Sequence, residues 1–139
     1  MYNDDVLSPR IQSLLSSARE AAQNAYAPYS QFRVGAALEL SNGAVATGGN
    51  VENASYGLTI CAERSALVRA VAEFGPGIRV RAAAVVNLAD AASSPCGACR
   101  QMLAEFAEPD APIAFPAERG VRCVPFAELL PYAFELKVK

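Results

Sequence analysis

Apolar positions along the chain change period several times, and each change marks an element. After Ser8-Pro9, Ile11, Leu14, Leu15, Ala18, Ala22 and Ala25 recur at helical spacing. Ser8 suits the N-cap and Pro9 the first helical position. Pro28 is expected to stop this helix, leaving Tyr26-Ala27-Pro28-Tyr29-Ser30 as a loop. Residues 32–40 then read as a strand whose small residues, Gly35-Ala36-Ala37, allow something to pack close to the backbone. Asn42-Gly43 predicts a two-residue hairpin turn, and residues 44–48 a return strand. A long polar loop, 49–60, follows.

A second helix is predicted from Cys61, with Ala62, Ala66, Leu67, Ala70, Val71 and Phe74 on one face and Gly75-Pro76-Gly77 at its end. Ala82-Ala83-Ala84-Val85-Val86 is a continuous apolar run, which suits a strand buried on both faces. A third helix begins near Cys96, with Cys99, Met102, Leu103 and Phe106 on one side. Residues 113–115 and 121–124 read as short strands, and 127–130 as a last helix closed by Pro131. The order α-β-β-α-β-α-β-β-α predicts a single domain over residues 1–139. It is a mixed α/β sheet with helices on both faces. Both cysteine stretches fall where a loop or strand gives way to a helix, the ligand-binding rim of such sheets.

Composition narrows the chemistry. Hydrophobic residues make up 53% of 139, enough for a real core. No apolar run reaches the ~18 residues that span a bilayer, so no membrane role is expected. The opening Met1-Tyr2-Asn3-Asp4-Asp5 is acidic and unlike a signal peptide, which points to a cytoplasmic, reducing setting where cysteines more often bind metals than pair. Lys and Arg number 12 and Asp and Glu 14, a net charge of −2 with no basic run; a nucleic-acid polymer is a poor fit as substrate. Histidine is absent. That removes Ser-His-Asp and Cys-His nucleophile systems, His metal ligands and His bases together.

What remains is Cys61-Ala62-Glu63-Arg64 and Pro95-Cys96-Gly97-Ala98-Cys99-Arg100-Gln101. Cys96 and Cys99, three apart at a helix start, share one face. Helix N-termini favour the thiolate form. Three thiolates suit one Zn²⁺ per chain and leave a tetrahedral corner open for water. Such a zinc carries −1 and is a poorer Lewis acid than one held by three neutral histidines, so a nearby base is needed. Glu63 is placed for it. Arg64, fixed in charge, is expected to bond thiolate sulfurs and offset the local negative charge; its plainer reading is a solvated helix charge. A thioredoxin-like redox pair at Cys96/Cys99 leaves Cys61 and Glu63 without a purpose. A closed structural zinc site with Cys123 as fourth ligand stays open, although Cys123 reads as a strand residue.

These stretches resemble the zinc-dependent cytidine deaminases, a class with a non-ligand glutamate. Residues 26–37 are similar to the family's N-terminal signature. Asn50-Val51-Glu52-Asn53-Ala54-Ser55-Tyr56 is similar to its nucleoside loop, and residues 129–134 to its C-terminal segment. The resemblance spans about residues 10 to 134. It implies a three-layer α/β/α fold with a mixed five-stranded sheet. It implies that Cys61, Cys96 and Cys99 hold zinc and that Glu63 moves protons. It places Asn50 and Glu52 on the ribose hydroxyls and Phe32 against the pyrimidine, with Ala62 also in the substrate site. It further implies a homotetramer whose sites borrow Ala54, Tyr56 and Phe134 across interfaces.

The activity so implied is hydrolytic deamination of cytidine and deoxycytidine, with loss of ammonia, in pyrimidine salvage. A deaminase of a cytosine-containing antibiotic, like blasticidin S deaminase, shares the zinc set, as does a nucleic-acid-editing deaminase. A zinc-stabilised binding module is the non-enzymatic alternative. From pattern alone, Phe32, Tyr56 and Phe134 read as core or contact residues, and Asn50 and Glu52 as a solvated loop.

Overall fold

The computed structural model describes residues 7–138; the acidic stretch over residues 1–5 lies outside them. Helix α1, Pro9–Ala22, begins as expected: Ser8 is its N-cap, and Ser8 Oγ accepts a hydrogen bond from Ile11 N. The helix ends at Ala22, six residues before the expected stop at Pro28. The reason is tertiary. Tyr26 N donates to Asn50 O and Glu52 N to Tyr26 O, so the segment leaves the helix to pair with a loop far along the chain.

Strands β1 (Val34–Leu40) and β2 (Val45–Gly49) form the predicted hairpin. The turn differs from the two-residue type read from Asn42-Gly43. Gly43 has φ +86° while Asn42 does not have positive φ, and type I′ needs both. Instead Gly43 N donates to Leu40 O and Leu40 N to Ala44 O, giving a three-residue connection. Helix α2 (Ala62–Phe74), strand β3 (Val80–Asn87), helix α3 (Gly97–Ala104), strands β4 (Pro112–Pro116) and β5 (Val121–Pro125), and the short helix α4 (Phe126–Leu129) complete the order.

The five-stranded sheet runs β2-β1-β3-β4-β5 and is mixed: β3 and β4 are parallel and the other neighbours antiparallel. Alternation along the strands assigns each face. Ala37, Ala82, Ala84, Val86, Ala114 and Cys123 pack under Ile11, Leu14 and Ala18 of α1. Ala36, Leu38, Leu40, Ala83, Val85 and Ile113 pack on the other face, under Ala66, Leu67 and Ala70 of α2 and Leu103 of α3. The result is the expected three-layer α/β/α arrangement.

Two glycines let the layers close. A Cβ on Gly35 would lie 1.8 Å from Ala18 O, so α1 rests directly on the β1 backbone. A Cβ on Gly48 would lie 2.5 Å from Ala66 N, so α2 does the same on β2. The small-residue reading of 35–37 is thereby explained. At one end of the sheet β1 begins and β2 and β3 finish. There the N-termini of α2 and α3 converge.

Candidate functional site

Cys61 is the N-cap of α2 and Cys96 the N-cap of α3, while Cys99 lies buried in the first turn of α3. The sulfurs of Cys61 and Cys96 are 3.7 Å apart and those of Cys96 and Cys99 3.4 Å, and all three lie within 4.8 Å of one another. Zinc–sulfur bonds of ~2.3 Å in a tetrahedron place the sulfurs about 3.8 Å apart. The donor set and its spacing fit one zinc ion with one corner open. Among the described residues this is the one cluster of potential metal ligands of its kind. Cys123 is not part of it; it is buried in β5 on the α1 side of the sheet, which removes the closed four-cysteine site.

The electrostatics follow from the crowding. Cys61 is lowered to about 5, first by the Cys99 thiol acting as donor to it and then by Arg64 and Cys96, against the opposing effect of burial. Cys99, as the donor of that pair and in a buried setting, is pushed upward. Binding a metal replaces these shared protons. Glu63 is the first-turn acid of α2 and is only 5% exposed. Burial raises its pKa, with backbone bonding opposing and the Cys61 charge adding. A carboxyl that holds a proton more readily than usual can both accept and return one.

Arg64 Nη2 donates to Cys61 Sγ at 3.5 Å and to Thr59 O at 3.3 Å. Its Nε is buried and has no hydrogen-bond partner.

A cleft of about 230 Å³ opens over the sulfurs, lined by Phe32, Asn50, Cys61, Ala62, Glu63 and Cys96 together with Val34, Thr59, Val85, Ser93 and Ser94. The last five were not singled out from the sequence. Ser93 and Ser94 were findable from adjacency to Pro95-Cys96; Val34 and Val85 read simply as strand residues. Asn87, 1% exposed, holds this wall. Its Nδ2 donates to Ala91 O and Ser93 Oγ, and its Oδ1 accepts from Ala91 N.

Asn50 is also buried, and its amide is partly committed. Nδ2 donates to Phe32 O and Oδ1 accepts from Val34 N, both at 2.9 Å. It therefore fixes the half-buried Phe32 at the cleft while keeping one donor and one acceptor position for a ligand. Glu52 lies outside the cleft, in an adjoining hollow of about 320 Å³ with Tyr29, Ser30, Asn53, Tyr56 and Thr59. Thr59 lines both. The Glu52 carboxylate accepts from Tyr29 N, Ser30 N and Ser30 Oγ, and these bonds, Ser30 Oγ first, hold its pKa below the usual carboxylate range.

Tyr56 is 78% exposed and Phe134 69% exposed, so neither is the core residue that pattern alone suggests. Ala54 and Phe134 line neither hollow of their own chain. Phe134 O accepts from Gln101 Nε2.

The model of the cytidine and deoxycytidylate deaminase zinc-binding region matches residues 8–114. The chain is 47% identical over 125 residues to the cytidine deaminase of Halalkalibacterium halodurans, covering 88% of this chain and 92% of that one. It is 46% identical over 123 residues to the cytidine deaminase of Mycobacterium tuberculosis, covering 88% of each. The crystal structure of cytidine deaminase from Burkholderia pseudomallei superposes with a TM-score of 0.79 at 43% identity, covering 92% of this chain and all of that one. That of the Mycobacterium tuberculosis enzyme does so with a TM-score of 0.79 at 42% identity, covering 90% and 97%. Sulfur spacing, sheet order and sequence lead to one assignment: the chain belongs to the zinc-binding cytidine and deoxycytidylate deaminase family.

Proposed function

We propose that this protein hydrolyses cytidine and deoxycytidine to uridine and deoxyuridine, releasing ammonia. The observation that carries the reading is the three-sulfur cluster, with Cys61 and Cys96 lining a cleft that also holds the buried Glu63 and is bounded by Phe32 and Asn50. Relatives bearing the name cytidine deaminase cover most of the chain at comparable length.

Cys61, Cys96 and Cys99 would hold the zinc, which would supply Lewis acidity to acidify the attacking water. Glu63 accepts a proton from the attacking water and delivers it to N3 as the water oxygen bonds to C4. It then takes the remaining proton from the C4 hydroxyl and passes it to the amine, so that the C4–N bond breaks, ammonia leaves and the C4 carbonyl forms. Phe32 packs on the pyrimidine face, with Ala62 beside it, and the walls of the cleft exclude bulk water. Arg64 draws charge from the Cys61 sulfur. The free donor and acceptor positions of Asn50 and the Glu52 carboxylate are assigned to the ribose hydroxyls, with Thr59 joining their two hollows.

The same reading extends to assembly. Tyr56, Leu58, Tyr132 and Phe134 are large apolar side chains left exposed. Such exposure supports a homotetramer in which Ala54, Tyr56 and Phe134 complete a neighbour's site. The chain is taken as one unit over residues 1–139, acting in pyrimidine salvage in the cytoplasm. Among the described residues no helix is long and apolar enough to cross a membrane. Ammonia release from cytidine, measured alongside zinc content, tests the reading; a zinc-loaded protein inert toward cytidine and deoxycytidine would refute it.

A further inference from the structure

Residues 88–96 run from β3 to α3 without strand or helix, yet Cys96 must present its sulfur within ~0.2 Å of a fixed bond length. The first half of this loop is held by Asn87. The second half is held from the far side of the ligand pair. Arg100, which directly follows Cys99, reaches back past Cys96. Its Nε donates to Pro95 O at 2.7 Å and its Nη2 to Ser94 Oγ at 2.9 Å, while its backbone N donates to Cys96 O at 2.9 Å. Its Nη1 donates to Leu129 O at 2.8 Å, at the end of α4. Pro95 O belongs to the planar Pro95–Cys96 peptide, so this bond acts directly on the backbone entering Cys96.

We propose that Arg100 is a positioning residue for the metal centre: it holds Cys96 in ligating geometry by fastening the Pro95–Cys96 peptide and the Ser94 side chain to α3, with α4 as the outer anchor. The inference rests on the zinc reading above. A planar guanidinium meets three acceptors in fixed directions, and a lysine ammonium cannot reproduce that fork. The side-chain bonds of Arg100 to Pro95, Ser94 and Leu129 all go to oxygen, which sets its part apart from that of Arg64 on the Cys61 sulfur. Gln101 offers a matched comparison. It also grips the C-terminal segment, through Phe134 O, but has no bond to the ligand loop.

Zinc affinity, measured by competition with a chromophoric chelator, tests this without reference to turnover; circular dichroism reports the fold. The parent should bind one zinc per chain. Arg100→Ala should keep the parental spectrum and bind zinc roughly 10–100-fold more weakly, the usual cost of losing a group that orients a ligand. Arg100→Lys, which keeps the charge, should still be weakened by at least ~10-fold, and it decides the matter if the alanine variant does not fold. Gln101→Ala should retain parental affinity. A folded Arg100→Ala or an Arg100→Lys protein that binds zinc like the parent overturns the inference alone. So does a Gln101→Ala protein as weak as the Arg100 variants, since affinity would then follow the C-terminal segment. A parent that binds no zinc overturns the metal reading with it.

Discussion

Replacing Gly48 with alanine puts one methyl group where α2 lies against β2. That carbon would sit 2.5 Å from Ala66 N, 2.9 Å from Ser65 Cβ and 3.0 Å from Ala62 O. Two of the three are backbone atoms and cannot rotate away. Restoring an ordinary 3.4 Å separation from Ala66 N requires α2 to retreat by about 0.9 Å. Overpacking typically costs ~1–3 kcal/mol, and a rigid opposing backbone puts this case near 3. For a chain of this length that is a fall in Tm of about 10 °C. The same displacement reaches the chemistry, because α2 carries Cys61 at its N-cap and Glu63 in its first turn. A misplacement near 1 Å costs about 10²-fold in rate. Gly48→Ala should therefore lose both stability and kcat/KM. Gly77→Ala, whose added carbon meets nothing within 4 Å, should lose neither. Thermal melts and steady-state ammonia release measure the two effects. A Gly48→Ala protein whose stability stays within the ~0.5 kcal/mol of an ordinary surface change, at parental kcat/KM, would refute the coupling of helix seating to catalysis.

Cys61→Ala, Cys96→Ala and Cys99→Ala should each lose zinc and activity, whereas Cys123→Ala should keep both, as metal analysis of the four proteins will show. Arg64 helps hold the Cys61 thiol at about 5; in Arg64→Ala that pKa rises, so on acidification zinc should leave at a higher pH than from the parent. The ionisation needed for activity should likewise move upward in the pH–rate profile. Cytosine, which lacks ribose, should be a far poorer substrate than cytidine, and Glu52→Ala should narrow that gap in kcat/KM; equal kcat/KM for the two in the parent would remove the ribose assignment.

The metal site was legible because its parts obey local rules. Cys61 and Cys96 each precede a helical period, and Cys96 and Cys99 are spaced for one face. The β3 run, 80–87, and the two sheet faces were legible from period and length. What stayed hidden depends on contacts distant in sequence. Helix α1 ends at Ala22 because Tyr26 N finds Asn50 O, which no local propensity announces. The 42–43 turn was misread because Asn-Gly serves more than one hairpin type, and only the φ of Asn42 distinguishes them. Gly48 carries no sign that α2 rests on it. The clamps of Asn87 and Asn50 look, in sequence, like a strand end and a polar loop. Their part in shaping the cleft exists only once Ser93 and Phe32 are brought beside the sulfurs.

The account stands on Glu63 as the proton carrier beside a zinc that it does not ligate. Glu63→Gln keeps the side-chain shape and removes the basic oxygen. Single-turnover ammonia release from cytidine, with zinc measured on the same sample, separates the two parts of the claim. The account predicts one zinc per chain in both proteins. It predicts a rate lower in Glu63→Gln by about 10⁴-fold, the upper end of general acid–base catalysis, because one residue serves successive transfers. A Glu63→Gln protein that retains zinc and releases ammonia at near the parental rate would contradict it.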